Sequence, residues 1–150
     1  MTDLDAIDRK ILHELTVDGR ITNLALSDRV GLSASACLRR VQELERIGII
    51  VGYRAVLDQR ALGKGFTAYV AVGFSKHTKT EQEAFERVIA KSPEVRECHN
   101  ITGVYEYLLR VEVDDIQAYK HFHTDTLGAL PSVTTISSFI VMESPKDERG

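Results

Sequence analysis

The sequence predicts an α+β chain, an N-terminal winged helix-turn-helix followed by a C-terminal ferredoxin-like βαββαβ unit. Three observations carry that reading. Apolar residues recur at helical spacing between turn signals over residues 4–47, a glycine-containing stretch follows, and the pattern then changes to strand alternation. The expected organisation is 1–57 for the helical unit, 58–65 for a linker, 66–143 for the mixed unit and 144–150 for a polar tail.

Leu4, Ile7, Ile11, Leu12 and Leu15 form one apolar stripe, which predicts a first helix ending at Asp18-Gly19. A second helix follows, with Thr22 or Asn23 as N-cap, Leu26 and Val30 four apart, and Gly31 as the left-handed residue that stops it. Ser33 suits the N-cap of a third helix, in which Cys37, Val41 and Leu44 face the core and Ser35, Leu38, Arg39 and Gln42 do not. Gly48 closes that helix. The β-rich run Ile49 to Leu57 then reads as a strand forming a wing.

Beyond the linker, Phe66, Ala68, Val70, Val72 and Phe74 alternate as a strand, and Ala84, Phe85, Val88 and Ile89 mark a helix that Ser92-Pro93 terminates. Val95 to Ile101 and Tyr107 to Val113 read as two strands with Gly103 in the turn between them. Asp114-Asp115 starts a helix holding Ile116, Tyr119, Phe122 and Leu127; Pro131 follows its end, and Val133 to Met142 is strand-like. Two helices cover only one face of such a sheet, so the other face calls for a partner, and a second copy answers that need.

The formal charge is −3, so the chain lacks the overall basic excess of a non-specific nucleic-acid coat. Residues 1–57 hold eight basic and eight acidic side chains against eleven and fourteen in the remainder, which makes any DNA contact a local one. The two cysteines, Cys37 and Cys98, make neither a secreted disulfide framework nor a four-ligand zinc set. An acidic start at Met1-Thr2-Asp3-Leu4-Asp5 and the lack of a long apolar run predict a cytoplasmic protein without signal peptide or membrane span. No glycine fingerprint for nucleotides, nucleophile elbow or acid–base pair occurs, so the chain reads as no enzyme and as needing no cofactor.

Asn23, Ser33, Ser35, Leu38, Arg39, Arg40, Gln42 and Arg54 are the candidate DNA contacts. A small hydroxyl-bearing first turn enters a groove, and guanidinium groups meet phosphates. The plainer alternative is a solvated helix in which Arg39 and Glu43 pair at i, i+4, with Arg40 next to the core stripe making a structural ion pair. The second candidate is an effector pocket at Asn100, Thr102, Gly103, Val104, Tyr105 and Glu106, where Glu106 would accept from an ammonium and the glycine turn would donate N–H groups. Read from the residues alone, that segment is a plain hairpin with a solvated Glu106. His121-Phe122-His123 with Cys98-His99 has poor spacing for a metal site, and no metal is expected. Cys37 reads as a small buried hydrophobe rather than a redox sensor.

Taken together, Leu4-Asp5 with Ile7-Asp8, Asp18-Gly19-Arg20-Ile21, Val30-Gly31-Leu32-Ser33, Cys37-Leu38-Arg39-Arg40-Val41, Leu44-Glu45-Arg46 and Gly52-Tyr53 resemble the leucine-responsive and asparagine-responsive (Lrp/AsnC) bacterial transcriptional regulators. The likeness continues through Glu97-Cys98-His99, Tyr107-Leu108-Leu109-Arg110, Ala118-Tyr119 and Leu130-Pro131, so it spans nearly the whole chain. It implies a DNA-binding domain, an amino-acid-binding domain, and homodimers that assemble into rings such as octamers. It further implies effector sites near the dimer–dimer contact, mapping additionally onto Ile116, Phe139, Ile140 and Val141. The chain departs from the family at the turn, where Gly-Asp-(aromatic)-Asp is replaced by Gly103-Val104-Tyr105-Glu106; Val104 in place of a carboxylate favours an apolar ligand or an unresponsive site.

The reading that emerges is a sequence-specific transcriptional regulator of double-stranded DNA, tuned by a small amino acid. A nucleoid-architectural protein with little sequence preference, and a small ferredoxin-like enzyme with a helical extension, are the alternatives.

Overall fold

Asp5 begins the first helix, α1 (Ala6–Val17), through a reciprocal capping box: its carboxylate accepts from Asp8 N at 2.8 Å and its own N–H donates to Asp8 Oδ2 at 3.3 Å. Thr22 caps α2 (Asn23–Val30), which ends at Gly31 with φ 74°, and Ser33 caps α3 (Ala34–Arg46). Ile11, Leu26, Val30, Cys37 and Leu44 form the core of this unit, with Leu4, Ile7, Leu15, Leu32 and Val41 packed around it. These helices and caps agree with the periodicity and turn residues that predict them.

The computed structural model describes residues 3–148, so Met1 and Thr2 of the acidic start and Arg149 and Gly150 of the tail lie outside the described residues. Two compact units meet at Val56 and Leu57, and each is described by itself.

The expected wing strand over Ile49 to Leu57 is corrected: the segment forms no ladder. Ile49 N and Ile50 N both donate to Leu44 O, at 3.0 and 3.1 Å, which makes the start of the run a helix-end turn. The rest is exposed and without regular secondary structure, with Val51 94% accessible, because β-branched residues give a strand only where a second strand takes up their N–H and C=O groups. The Tyr53 hydroxyl donates to Glu45 Oε1 at 3.0 Å.

In the second unit, Asp58 Oδ1 accepts from Arg60 N and Ala61 N, each at 3.0 Å, so the expected linker opens as a turn. Strands β1 (Phe66–Phe74), β2 (Val95–Asn100), β3 (Tyr107–Val113) and β4 (Val133–Ile140) form one antiparallel sheet in the order β2-β3-β1-β4. Helix α4 (Lys79–Ile89) joins β1 to β2, and α5 (Ile116–His121) lies between β3 and β4. Phe85 and Ile89 of α4, with Tyr119 of α5, pack on Ala68, Val70, Val72, Leu109 and Val111, all buried. Burying a side chain such as Phe85 completely contributes roughly 1.5–3 kcal/mol.

Helix α5 continues as a π-helical turn over Phe122–Leu127, closed by Gly128 N donating to His123 O at 2.9 Å. A Cβ at Gly128 would stand 2.8 Å from Thr124 O, so glycine is what lets the wide turn end there.

Candidate functional site

The outer face of α3 is assembled from the positions that its core stripe leaves over. Cys37 and Leu44 are buried, while Ser35, Leu38, Arg39 and Gln42 are exposed, Leu38 at 45%. Ser33 Oγ accepts from Ala36 N at 3.3 Å and lies 3.4 Å from Ser35 Oγ, so its hydroxyl caps the helix while remaining on the surface. Asn23 donates through Nδ2 to Ala34 O at 2.8 Å, tying the start of α2 to the start of α3. Arg54 is exposed on the segment that follows α3.

The guanidinium groups of α3 are used differently. Arg40 Nη1 lies 2.7 Å from Asp5 Oδ2 and 2.8 Å from Asp8 Oδ1, so this group is turned toward the N-terminus of α1. The Asp8 N–H and then Arg40 hold the Asp5 carboxyl below its usual range, and Asp5 and then Asp8 push the Arg40 guanidinium up. Arg46 grips Glu43 with two bonds of 2.6 and 2.7 Å, which takes the acid that sequence spacing assigns to Arg39. Among the described residues no ion pair is formed by Arg39, and it lines a shallow groove of about 500 Å³ with Arg40, Gln42, Glu43 and Arg46. An exposed guanidinium with no ion-pair partner among the described residues can meet a phosphate or the edge of a guanine.

The turn between β2 and β3 divides in two. Thr102, Gly103 and Val104 are exposed, Gly103 at φ 119° and Val104 at 87% accessibility. Asn100, Tyr105 and Glu106 are scaffold. Asn100 Nδ2 donates to Glu106 O at 3.2 Å, and the Tyr105 hydroxyl lies 2.7 Å from Ser137 Oγ. The Tyr105 ring lies over Gly73 of β1, where a Cβ would meet it in ordinary contact at 3.6 Å and would crowd Thr135 Cβ at 3.3 Å. Glu106, expected to be solvated or open to a ligand, is buried; its Oε2 accepts from Phe74 N at 2.6 Å and its Oε1 faces His77 Nδ1 at 2.5 Å. Nothing in the sequence singles out His77, which stands in a loop.

Ile116, Phe139 and Ile140 are exposed at 54%, 59% and 45%, and Ile140 stands toward the other end of the sheet from the turn. Ile140 pairs with Ala68 near the start of β1, whereas Tyr105 covers Gly73 near its end. Five residues of strand put Ile140 about 17 Å from the turn along the sheet, beyond the reach of one small ligand, whereas Phe139 stands two residues along β4 from Ser137, whose hydroxyl meets Tyr105.

Residues 67–150 match the model of the Lrp/AsnC ligand binding domain, and residues 4–51 match a winged helix-turn-helix DNA-binding model. The chain belongs to the Lrp/AsnC family of transcriptional regulators. The leucine-responsive regulatory protein of Escherichia coli K12 is 42% identical over 144 residues, covering 96% of this chain and 88% of that protein. A transcriptional regulator from Neisseria meningitidis, solved in complex with L-Met, superposes with a TM-score of 0.93 at 39% identity, covering 97% of this chain and 94% of that one. An AsnC family regulator from Agrobacterium tumefaciens gives 0.90 at 34% identity, over 96% and 94% of the two chains.

Around this Lrp/AsnC scaffold the remaining reactive groups are quiet. Cys37 is buried, and loss of water pushes its thiol up. Cys98 stands on the exposed edge strand β2, yet desolvation and then the Glu86 carboxylate push its thiol up to about 11. His121 faces Asp125 at 3.3 Å while the His123 ring lies edge-on to Tyr119 with centroids 6.0 Å apart, so these two imidazoles do not converge. Among the described residues no helix is long and apolar enough to cross a membrane.

Proposed function

We propose that this family member is a cytoplasmic, sequence-specific regulator that inserts α3 into the major groove of double-stranded DNA, with its assembly or DNA affinity tuned by a small amino acid. The observation that supports it most is the division of labour on α3. Arg40 and Arg46 are paired within the protein, while Arg39 forms no ion pair among the described residues and stands beside the exposed Ser35, Leu38 and Gln42. In this reading Ser35, Arg39 and Gln42 face base edges or phosphates, Ser33 presents the positive end of the helix, Asn23 and Arg54 approach backbone, and Arg40 holds α3 in place.

The effector turn is the exposed Thr102, Gly103 and Val104 on the scaffold of Asn100, Tyr105 and Glu106. Because Ile140 lies toward the far end of the same sheet, a pocket that uses both it and the turn is completed by a second copy. The sheet face opposite the helices, with Tyr69, Leu108, Phe139 and Val141, is the surface for a homodimer, and further assembly of dimers to an octamer brings turn and far end together. A ligand bound at such a junction shifts assembly because the separated state lacks the complete site.

The test is the affinity for a duplex selected from a random pool compared with that for random DNA, measured by fluorescence anisotropy at one salt concentration. A ratio of roughly a thousand or more supports sequence-specific regulation, whereas a ratio near unity favours the architectural coat. The overall charge of −3 speaks against the coat, because backbone-only binding rests on a wide basic surface.

A further inference from the structure

Leu38 takes no part in the core of its own unit. Its neighbour Cys37 is buried with Ile11, Leu26, Val30 and Leu44, while the Leu38 side chain stays 45% exposed on the second turn of α3. Exposure alone does not single it out, since Val17 and Leu24 are more exposed still. Its place on the helix does. At about 100° per residue, Gln42 and Ser35 stand about 40° and 60° around α3 from it on one side and Ala34 about 40° on the other, and all three are exposed. An apolar flank formed by Ala34 and Leu38 thus borders a polar strip formed by Ser35 and Gln42, with Arg39 beyond it.

That flank has no polar side-chain atom to offer a groove. The major groove does offer it a partner, the C5-methyl of thymine, which lies across the base pair from the N7 acceptor and N6–H2 donor of adenine. Among the described residues the Gln42 amide makes no hydrogen bond within the protein, and it carries the donor and acceptor that an adenine edge requires. Leu38 and Gln42, one turn apart, therefore match the two halves of an A·T pair. Contact with phosphate accounts for a guanidinium such as Arg39, but an alkyl side chain gains nothing from an anion.

Resting on the reading that α3 enters the major groove, we infer that Leu38 is a specificity-determining residue that recognises a thymine methyl group, with Gln42 facing an adenine alongside it. The preferred half-site therefore carries a thymine where Leu38 reaches. Burying one methyl carbon against an alkyl side chain contributes about 0.8 kcal/mol, which is roughly fourfold in affinity for each half-site.

The experiment is fluorescence anisotropy of the full chain on a selected duplex in which each thymine of the half-site is replaced in turn by uracil. That replacement deletes the methyl and keeps every hydrogen-bonding group of the base. For the wild type, one position is expected to weaken binding about fourfold, and about fifteenfold when both half-sites are changed. Leu38→Ala is expected to bind the parent duplex more weakly and to bind its thymine and uracil forms within about 1.5-fold of each other. Leu38→Met, which keeps a long apolar chain, is expected to regain about half of the discrimination or more.

A wild type indifferent to every uracil, or a selected half-site without thymine, overturns the inference while leaving sequence-specific binding in place. So does a uracil effect of full size in Leu38→Ala, because thymine and uracil duplexes weakened in parallel assign Leu38 to the fold and the methyl effect to duplex deformability. If no duplex is preferred over random DNA, the reading of α3 fails and this inference fails with it.

Discussion

The guanidinium of Arg40 lies 2.8 Å from Asp8 Oδ1, joining α3 to the first turn of α1 across 32 residues of sequence. The same Asp8 closes the capping box with Asp5, so one small cluster fixes both where α1 starts and how α3 lies against it. A residue adjacent to Arg39 thus belongs to the architecture of the N-terminal unit.

Arg40→Ala should lower the melting temperature of the N-terminal unit and weaken DNA binding without changing the slope of log affinity against log salt. Thermal melting paired with an anisotropy salt titration checks this. An unaltered melt together with a slope reduced by about one would make Arg40 a phosphate contact instead.

The Asp5 carboxyl is held below its ordinary 3.8, first by the Asp8 N–H and then by Arg40. A group whose pKa is depressed by folding contributes stability above its unfolded value and loses that contribution as pH falls through the folded value. Asp5→Asn keeps an N-cap acceptor while removing the charge. The wild type should therefore lose melting temperature faster than Asp5→Asn as pH drops below about 4, and melts from pH 6 to 2.5 that run parallel would remove the ion pair from the account.

Cys98, with its thiol pushed up to about 11, should react slowly with a disulfide reagent at pH 8 despite its edge position. A rate roughly a hundredfold below that of free cysteine is expected, because only about one thiol in a thousand is ionised there. Glu86→Gln should recover part of the rate, since desolvation is the larger cause and the Glu86 charge the smaller. A Cys37→Ser background isolates the signal, and a rate equal to that of free cysteine would contradict the assignment.

Gly128→Ala places a Cβ 2.8 Å from Thr124 O at the close of the π-helical turn. The overpacking should destabilise the second unit by ~1–3 kcal/mol in urea unfolding. Ala129→Gly, one residue further along, serves as a control for composition, and an unchanged midpoint for Gly128→Ala would mean that the turn relaxes freely.

These details mark where the sequence is legible and where it is not. The helices of the first unit announce themselves because Thr22, Gly31 and Ser33 are residues whose local chemistry starts and stops helices, and the observed caps use those side chains and that left-handed φ. Strand β1 is legible because Phe66, Ala68, Val70, Val72 and Phe74 alternate along it, although Ala71 and Gly73 between them are buried as well. The run Ile49 to Leu57 misleads for the complementary reason: strand propensity is local, but a ladder needs a partner that the N-terminal unit does not supply. The π-helical turn depends on how Gly128 meets Thr124, a contact without periodic signature.

The candidate site divides along the same line. The open face of α3 follows from its core stripe and so is visible in spacing. The partners of Arg40 and Glu106 lie 35 and 32 residues away in sequence, at Asp5 and Phe74, and only the folded chain brings them together. The buried Glu106 is the plainest example, since the same residue reads as a solvated turn acid until Phe74 N is found beneath it.

The central claim is that α3 reads DNA through Arg39, and it is tested most directly by titrating a selected duplex across salt concentrations with wild type and Arg39→Ala. The account predicts an affinity loss of ~1–3 kcal/mol with altered base preference if Arg39 meets a base, or a slope shallower by about one unit if it meets phosphate alone. Superimposable titrations for the two proteins would contradict it.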